Sequence, residues 1–133
     1  MMAKPLALVV DDDTAVRNLI REMLACDGWE TLSASDGQEA QEMLEQSAAP
    51  VQLLVTDMHM PKTNGLELIK KVNDSHPDIP VLVVTAYNFE MAIPPAGFKG
   101  RMQLLPKPFS MKALLQTAQA LLNNSSTPPA SVA

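Results

Sequence analysis

The sequence predicts an open, parallel α/β sheet covered by helices on both faces. Three runs, Leu6 to Val10, Val51 to Thr56 and Val81 to Val84, are apolar over a strand's length with almost no alternation, as expected of strands covered on both sides. Between them the apolar spacing switches to three and four residues, the period of helices with one buried face. Strand and helix thus alternate through roughly five βα units, which short right-handed crossovers wind into a single sheet.

In chain order, Leu6 to Val10 reads as a central strand. Asp13 is placed to cap the helix that follows, Val16, Leu19, Ile20, Met23 and Leu24 form its apolar stripe, and Gly28 stops it. Residues Trp29 to Ala34 are mixed in character and suit a sheet edge. Asp36-Gly37-Gln38-Glu39 resembles a capping box ahead of Ala40, Met43 and Leu44. After the central strand Val51 to Thr56, Asn64 can cap a third helix carrying Leu68, Ile69 and Val72. Beyond Val81 to Val84 a helix is due, but Pro94-Pro95, Gly97 and Gly100 should leave it short or irregular. Met102 to Leu105 reads as the other edge strand, since Pro106 cannot donate to a ladder. Ser110 then caps a last helix with Met111, Leu114, Leu115, Ala118, Leu121 and Leu122 on its stripe. Residues 1–123 form the predicted domain, and 124–133, rich in Ser, Thr and Pro, read as a disordered tail or linker.

Composition narrows the function. With 133 residues, 47% of them hydrophobic and 19% charged, the chain has the makings of one folded domain. Its net charge of -5 opposes nucleic acid or an anionic membrane surface as a direct ligand. A lone Cys26 excludes an internal disulfide and fits a reducing cytoplasm, and its place in a helical stripe suggests packing or indifference rather than thiol chemistry. No apolar run approaches the ~20 residues of a membrane span.

Chemistry concentrates at the predicted strand ends. Asp11, Asp12 and Asp13 end one strand, Asp57 a second, Thr85 a third, and Lys107-Pro108 follow a fourth. In an open parallel sheet these ends border one crevice. Two carboxylates ~4 Å apart repel by roughly 4 kcal/mol at an effective dielectric of 20, so Asp11, Asp12 and Asp57 call for a cation. An all-oxygen donor set suits Mg²⁺, which takes one or two carboxylates plus water and phosphate oxygens. Asp57 beside a metal, the Thr85 hydroxyl and Lys107 could act as a nucleophile toward phosphorus, and Ala86 leaves room for a phosphoryl group. Asp13 is better explained as a helix cap.

Over residues 6 to about 122 the chain resembles the receiver domains of two-component response regulators, including the single-domain chemotaxis type. Asp11-Asp12 match the acidic pair, Asp57 the phosphoacceptor, Thr85-Ala86 the switch hydroxyl and its small neighbour, and Lys107-Pro108-Phe109 the closing lysine motif. Residues 57–65 resemble the D-x-x-M-P-x-x-x-G loop, which implies His59's backbone carbonyl as a further Mg²⁺ ligand. The resemblance implies a flavodoxin-like sheet of order 2-1-3-4-5, a cis Lys107-Pro108 peptide and a domain that catalyses its own phosphorylation and dephosphorylation. It implies a sensor histidine kinase or phosphotransfer domain as phosphate donor, with the downstream target open. The chain reads as a stand-alone receiver or as one from a longer protein such as a hybrid histidine kinase. One departure stands out: Leu104 occupies the switch position, three before the lysine, where the family usually has an aromatic ring.

Two other classes compete. A haloacid-dehalogenase-like phosphohydrolase would use Asp11 and Asp13 as its D-x-D pair, but Ala15 and the absence of a later acidic pair oppose it. An interaction module that is never phosphorylated would be expected to have lost the acids or the lysine, and all are present.

Overall fold

The computed structural model describes residues 4–47, 50–57, 65–85 and 101–123. Five strands, β1 (Leu6–Val10), β2 (Glu30–Ala34), β3 (Leu53–Asp57), β4 (Val81–Thr85) and β5 (Met102–Pro106), form one sheet in the order β2-β1-β3-β4-β5 with every pairing parallel. The helices described are α1 (Thr14–Cys26), α2 (Gly37–Gln46), α3 (Gly65–Ser75) and α4 (Met111–Asn123). The mixed segments are the edges, and the continuous apolar runs are the centre. The expected Asn64 cap, the Pro94-Pro95 segment and the tail 124–133 lie outside the described residues.

Strand alternation divides the core in two. Ala7 and Val9, Leu53 and Val55, and Leu82 and Val84 face α1 and α4, where they pack with Ile20, Leu24, Leu114, Ala118, Leu121 and Trp29. Leu6, Leu8 and Val10, Leu54, and Val81 and Val83 face the other way, against Ala40, Leu44, Leu68, Ile69 and Val72 of α2 and α3. A slip of one residue in any central strand would exchange these sets, so burial on both sides fixes the register.

Local chemistry sets the helix ends. The Asp13 side chain accepts from the backbone N–H groups of Ala15 and Val16, and past the C-terminus of α1 Gly28 takes φ +86°, a left-handed conformation that glycine adopts without a Cβ clash. Asp36 Oδ1 accepts from Glu39 N at 2.8 Å, while Glu39 Oε1 reaches past the cap to Ser35 N and Oγ. The capping box is thus extended by one residue. Ser110 Oγ accepts from Ala113 N at 3.0 Å.

Three expectations need correction. Leu19 is 46% exposed, because at about 100° per residue it lies about 120° round α1 from the midpoint of Ile20 and Leu24. Met111, in the first turn of α4, is likewise exposed. Cys26, the last residue of α1, is an exposed free thiol, so of packing and indifference only the second stands. The same truncation on α1 should therefore separate two environments. Leu24→Ala should lower the unfolding free energy by about 2–5 kcal/mol and Leu19→Ala by about 0.5 kcal/mol or less, as read by urea denaturation followed by circular dichroism.

Candidate active site

Strand periodicity delivers the acids. The alternation that turns Ala7 and Val9 toward α1 carries on to Asp11, and that of Leu53 and Val55 carries on to Asp57. β1 and β3 run in register up to Val10 opposite Thr56, one step short of both carboxylates. On the far side β4 ends at Thr85, opposite Pro106, and Lys107 N donates to Thr85 O at 2.8 Å. This bond ties the start of the Lys107 loop to the end of β4.

Lys107 Nζ stands 3.8 Å from Asp11 Oδ2 and 3.7 Å from Asp57 Oδ2, with the Asp11 and Asp57 side chains 2% and 12% exposed. Those distances give charge attraction without a well-formed hydrogen bond. Asp11, Asp12 and Asp57 each offer a carboxylate oxygen, all within 4.8 Å of one another. Among the described residues one ammonium faces three carboxylates, which leaves this group net negative. Its strain shows at Asp11, whose pKa is pushed above the usual carboxylate value, first by burial and then by the charges of Asp57 and Asp12. The hydrogen bond from Asp13 N (2.9 Å) and the Lys107 charge pull it back only in part.

The donor set fits a small hard cation. It is made of oxygens only, and exposed Asp12 leaves one side open to water or phosphate oxygens, the mixed coordination that Mg²⁺ prefers. Thr85 is buried at the end of β4, bordering the same crevice. The Lys107–Pro108 peptide is cis, as the resemblance implied, and Pro108 is exposed. Leu104 is half-buried, in register with Val83 and packed against the α2–α3 side of the core. His59 and Ala86 lie outside the described residues. Asp13 is spent on capping α1, which leaves no D-x-D pair facing the crevice. His76 sits away from the acids, its Nδ1 2.9 Å from Ser75 Oγ.

Sequence reasoning missed Arg17. Its Nη1 donates to Asp11 O at 2.6 Å and its Nη2 to Thr14 Oγ1 at 3.3 Å. The available signal was its position one helical turn beyond the Asp13 cap, which points a long donor back toward the β1–α1 loop.

The raised pKa of Asp11 sets the sign of a pH effect. A carboxyl more basic in the folded state than in the unfolded one favours folding at low pH, and that contribution is lost as pH rises above the unfolded value of 3.8. In buffer free of divalent cations, Asp11→Asn should unfold at a higher temperature than wild type at neutral pH. The gap between the two should widen between about pH 4 and pH 7, as checked by paired thermal melts.

A family model described as "Response regulator receiver domain" matches residues 7–119. The chain is 33% identical over 131 residues to the DNA-binding transcriptional regulator NtrC of Azospirillum brasilense, an alignment covering 98% of this chain and 27% of that one. It is 40% identical over 116 residues to the response regulator MprA of Mycobacterium ulcerans, covering 86% and 49%. It thus spans about half or less of the length of these curated relatives. A receiver domain protein from Clostridium thermocellum superposes with a TM-score of 0.81 at 25% identity, over 90% of this chain and 95% of that one. With an acid pair at one strand end whose first member, Asp11, is buried, a lysine bridging that acid to the carboxylate at the next, and this match across most of its length, the chain belongs to the response regulator receiver domain family.

Proposed function

We propose that Asp57 is the phosphoacceptor of this receiver, that Lys107 and Thr85 act with it, and that Asp11 and Asp12 complete a Mg²⁺ site shared with Asp57. The observation that carries this is the Lys107 ammonium, poised 3.8 and 3.7 Å from the carboxylates of Asp11 and Asp57. Receiver domains are phosphoacceptor switches that work with histidine kinases, so the donor here is the phosphohistidine of a sensor kinase or a phosphotransfer domain. The net charge of -5 supports a module that meets protein partners rather than nucleic acid. Among the described residues no helix is long and apolar enough to cross a membrane, which is compatible with a cytoplasmic setting.

In this reading a carboxylate oxygen of Asp57 attacks phosphorus as the bond to the donor nitrogen breaks, and the electron pair leaves with the imidazole. Lys107, already aimed between two carboxylates, shifts its attraction to the arriving phosphoryl oxygens. The hydroxyl of Thr85, at the neighbouring strand end, donates to another. Mg²⁺, held by Asp11, Asp12 and Asp57, would supply the remaining positive charge. Asp11 then serves as an acceptor whose orientation is fixed by the hydrogen bond from Asp13 N. Return to the resting state needs only water attacking the same phosphorus, with Asp57 as leaving group.

Incubation of the chain with acetyl phosphate and Mg²⁺, followed by intact-mass spectrometry, tests this. The expected result is a gain of one phosphoryl group, absent in Asp57→Asn and slowed about 10²–10³-fold in Lys107→Ala. A gain that persists in Asp57→Asn, or none in wild type, would rule the assignment out.

A further inference from the structure

We infer that Arg17 is a positioning residue for the cation site, holding the Asp11–Asp12 peptide so that Asp12 presents its carboxylate to Asp11 and Asp57. The inference rests on the Mg²⁺ reading above and extends it to a side chain that touches none of the carboxylates. Asp11 is restrained at every polar atom. Its N–H donates to Ala34 O at 3.2 Å, its Oδ1 accepts from Asp13 N at 2.9 Å, its Oδ2 faces Lys107, and its carbonyl accepts from Arg17 Nη1 at 2.6 Å. Asp12 is the opposite case. It is exposed, and its carboxylate makes no hydrogen bond with any described residue, yet one of its oxygens lies within 4.8 Å of those of its two partners. Like charges this close push apart. With no side-chain tether, the direction of Asp12 is set by its backbone, and the peptide plane that begins it is the one whose oxygen Arg17 grips.

The guanidinium suits this task. It forks between Asp11 O and Thr14 Oγ1, which joins the β1–α1 loop to the first turn of α1, and Arg17 N is itself bonded to Asp13 O at 2.9 Å. The rigid fork loses less freedom per bond than an ammonium would. Because α1 is anchored in the core through Ile20 and Leu24, the loop inherits the rigidity of the helix. Groups that orient metal ligands from behind commonly affect affinity as much as weak ligands do.

Position and charge make opposite predictions. Arg17 is a cation near a cation site, so if it acted by charge alone its removal would tighten Mg²⁺ binding. If it acts by orientation, its removal loosens binding. Arg17→Met keeps the length of the stem and removes both donors, while Arg17→Lys keeps the charge and loses the fork. Titration of the full chain with MgCl₂ by calorimetry should give a dissociation constant about tenfold weaker for Arg17→Met, with Arg17→Lys between that and wild type. The rise in melting temperature caused by Mg²⁺, taken against the same variant in EDTA, should shrink in the same order, a change that a plain loss of fold stability would not produce. Unchanged or tighter Mg²⁺ binding in Arg17→Met overturns the inference and leaves the Mg²⁺ site standing. Should Arg17→Met not fold, wild-type affinity in Arg17→Lys overturns it instead. A wild-type chain that takes up no Mg²⁺ overturns both.

Discussion

Mutual repulsion among Asp11, Asp12 and Asp57 is the constraint around which this domain is organised. Three carboxylates with oxygens within 4.8 Å of one another, two of them largely covered, hold an arrangement that an isolated loop would relax within its first motions. The fold prevents this by placing the acids at the ends of β1 and β3, whose register is locked by apolar side chains on both faces. The Lys107 ammonium offsets part of the charge, and the pKa of Asp11 is raised first by its burial and then by the charges of Asp57 and Asp12. A site in that condition is preorganised for positive charge and for the phosphoryl chemistry that such charge supports.

The two halves of the core therefore have unequal duties. The α2–α3 side, with Leu8, Leu54, Leu68 and Ile69, mainly secures the sheet. The α1–α4 side also carries the site, since the face that buries Val9 and Val55 is the one that continues into Asp11 and Asp57. α1 spans both tasks. Its inner face enters the core through Ile20 and Leu24, while its first turn receives the Asp13 cap and sends Arg17 back to the acidic loop. Leu104, at the position where the resemblance implies an aromatic ring, is a branched aliphatic side chain packed at the sheet edge in register with Val83.

Much of this could be read before any coordinates. Continuous apolar runs identified the central strands because a doubly covered strand has no polar side, and Pro106 identified an edge because it lacks a donor. The convergence of Asp11, Asp12, Asp57 and Lys107 followed from strand ends alone. What escaped was whatever depends on the angle or reach of one side chain. Leu19 and Met111 fit a helical stripe that is wider than the strip of helix actually in contact, so periodicity could not see that they face outward. Glu39 chose Ser35 over the cap residue itself, a difference of one position that no motif encodes. Arg17 left only the weak signal of its place one turn beyond the Asp13 cap, because a guanidinium bonded to a backbone carbonyl imposes no pattern of residue types.

The account stands on the three acids sharing one cation, and anomalous diffraction from crystals grown with Mn²⁺ tests that directly. It predicts a single strong anomalous peak within direct ligand distance of carboxylate oxygens from both the Asp11–Asp12 pair and Asp57. A cluster free of anomalous signal at saturating Mn²⁺, or a peak held by Asp12 alone out in solvent, would contradict it.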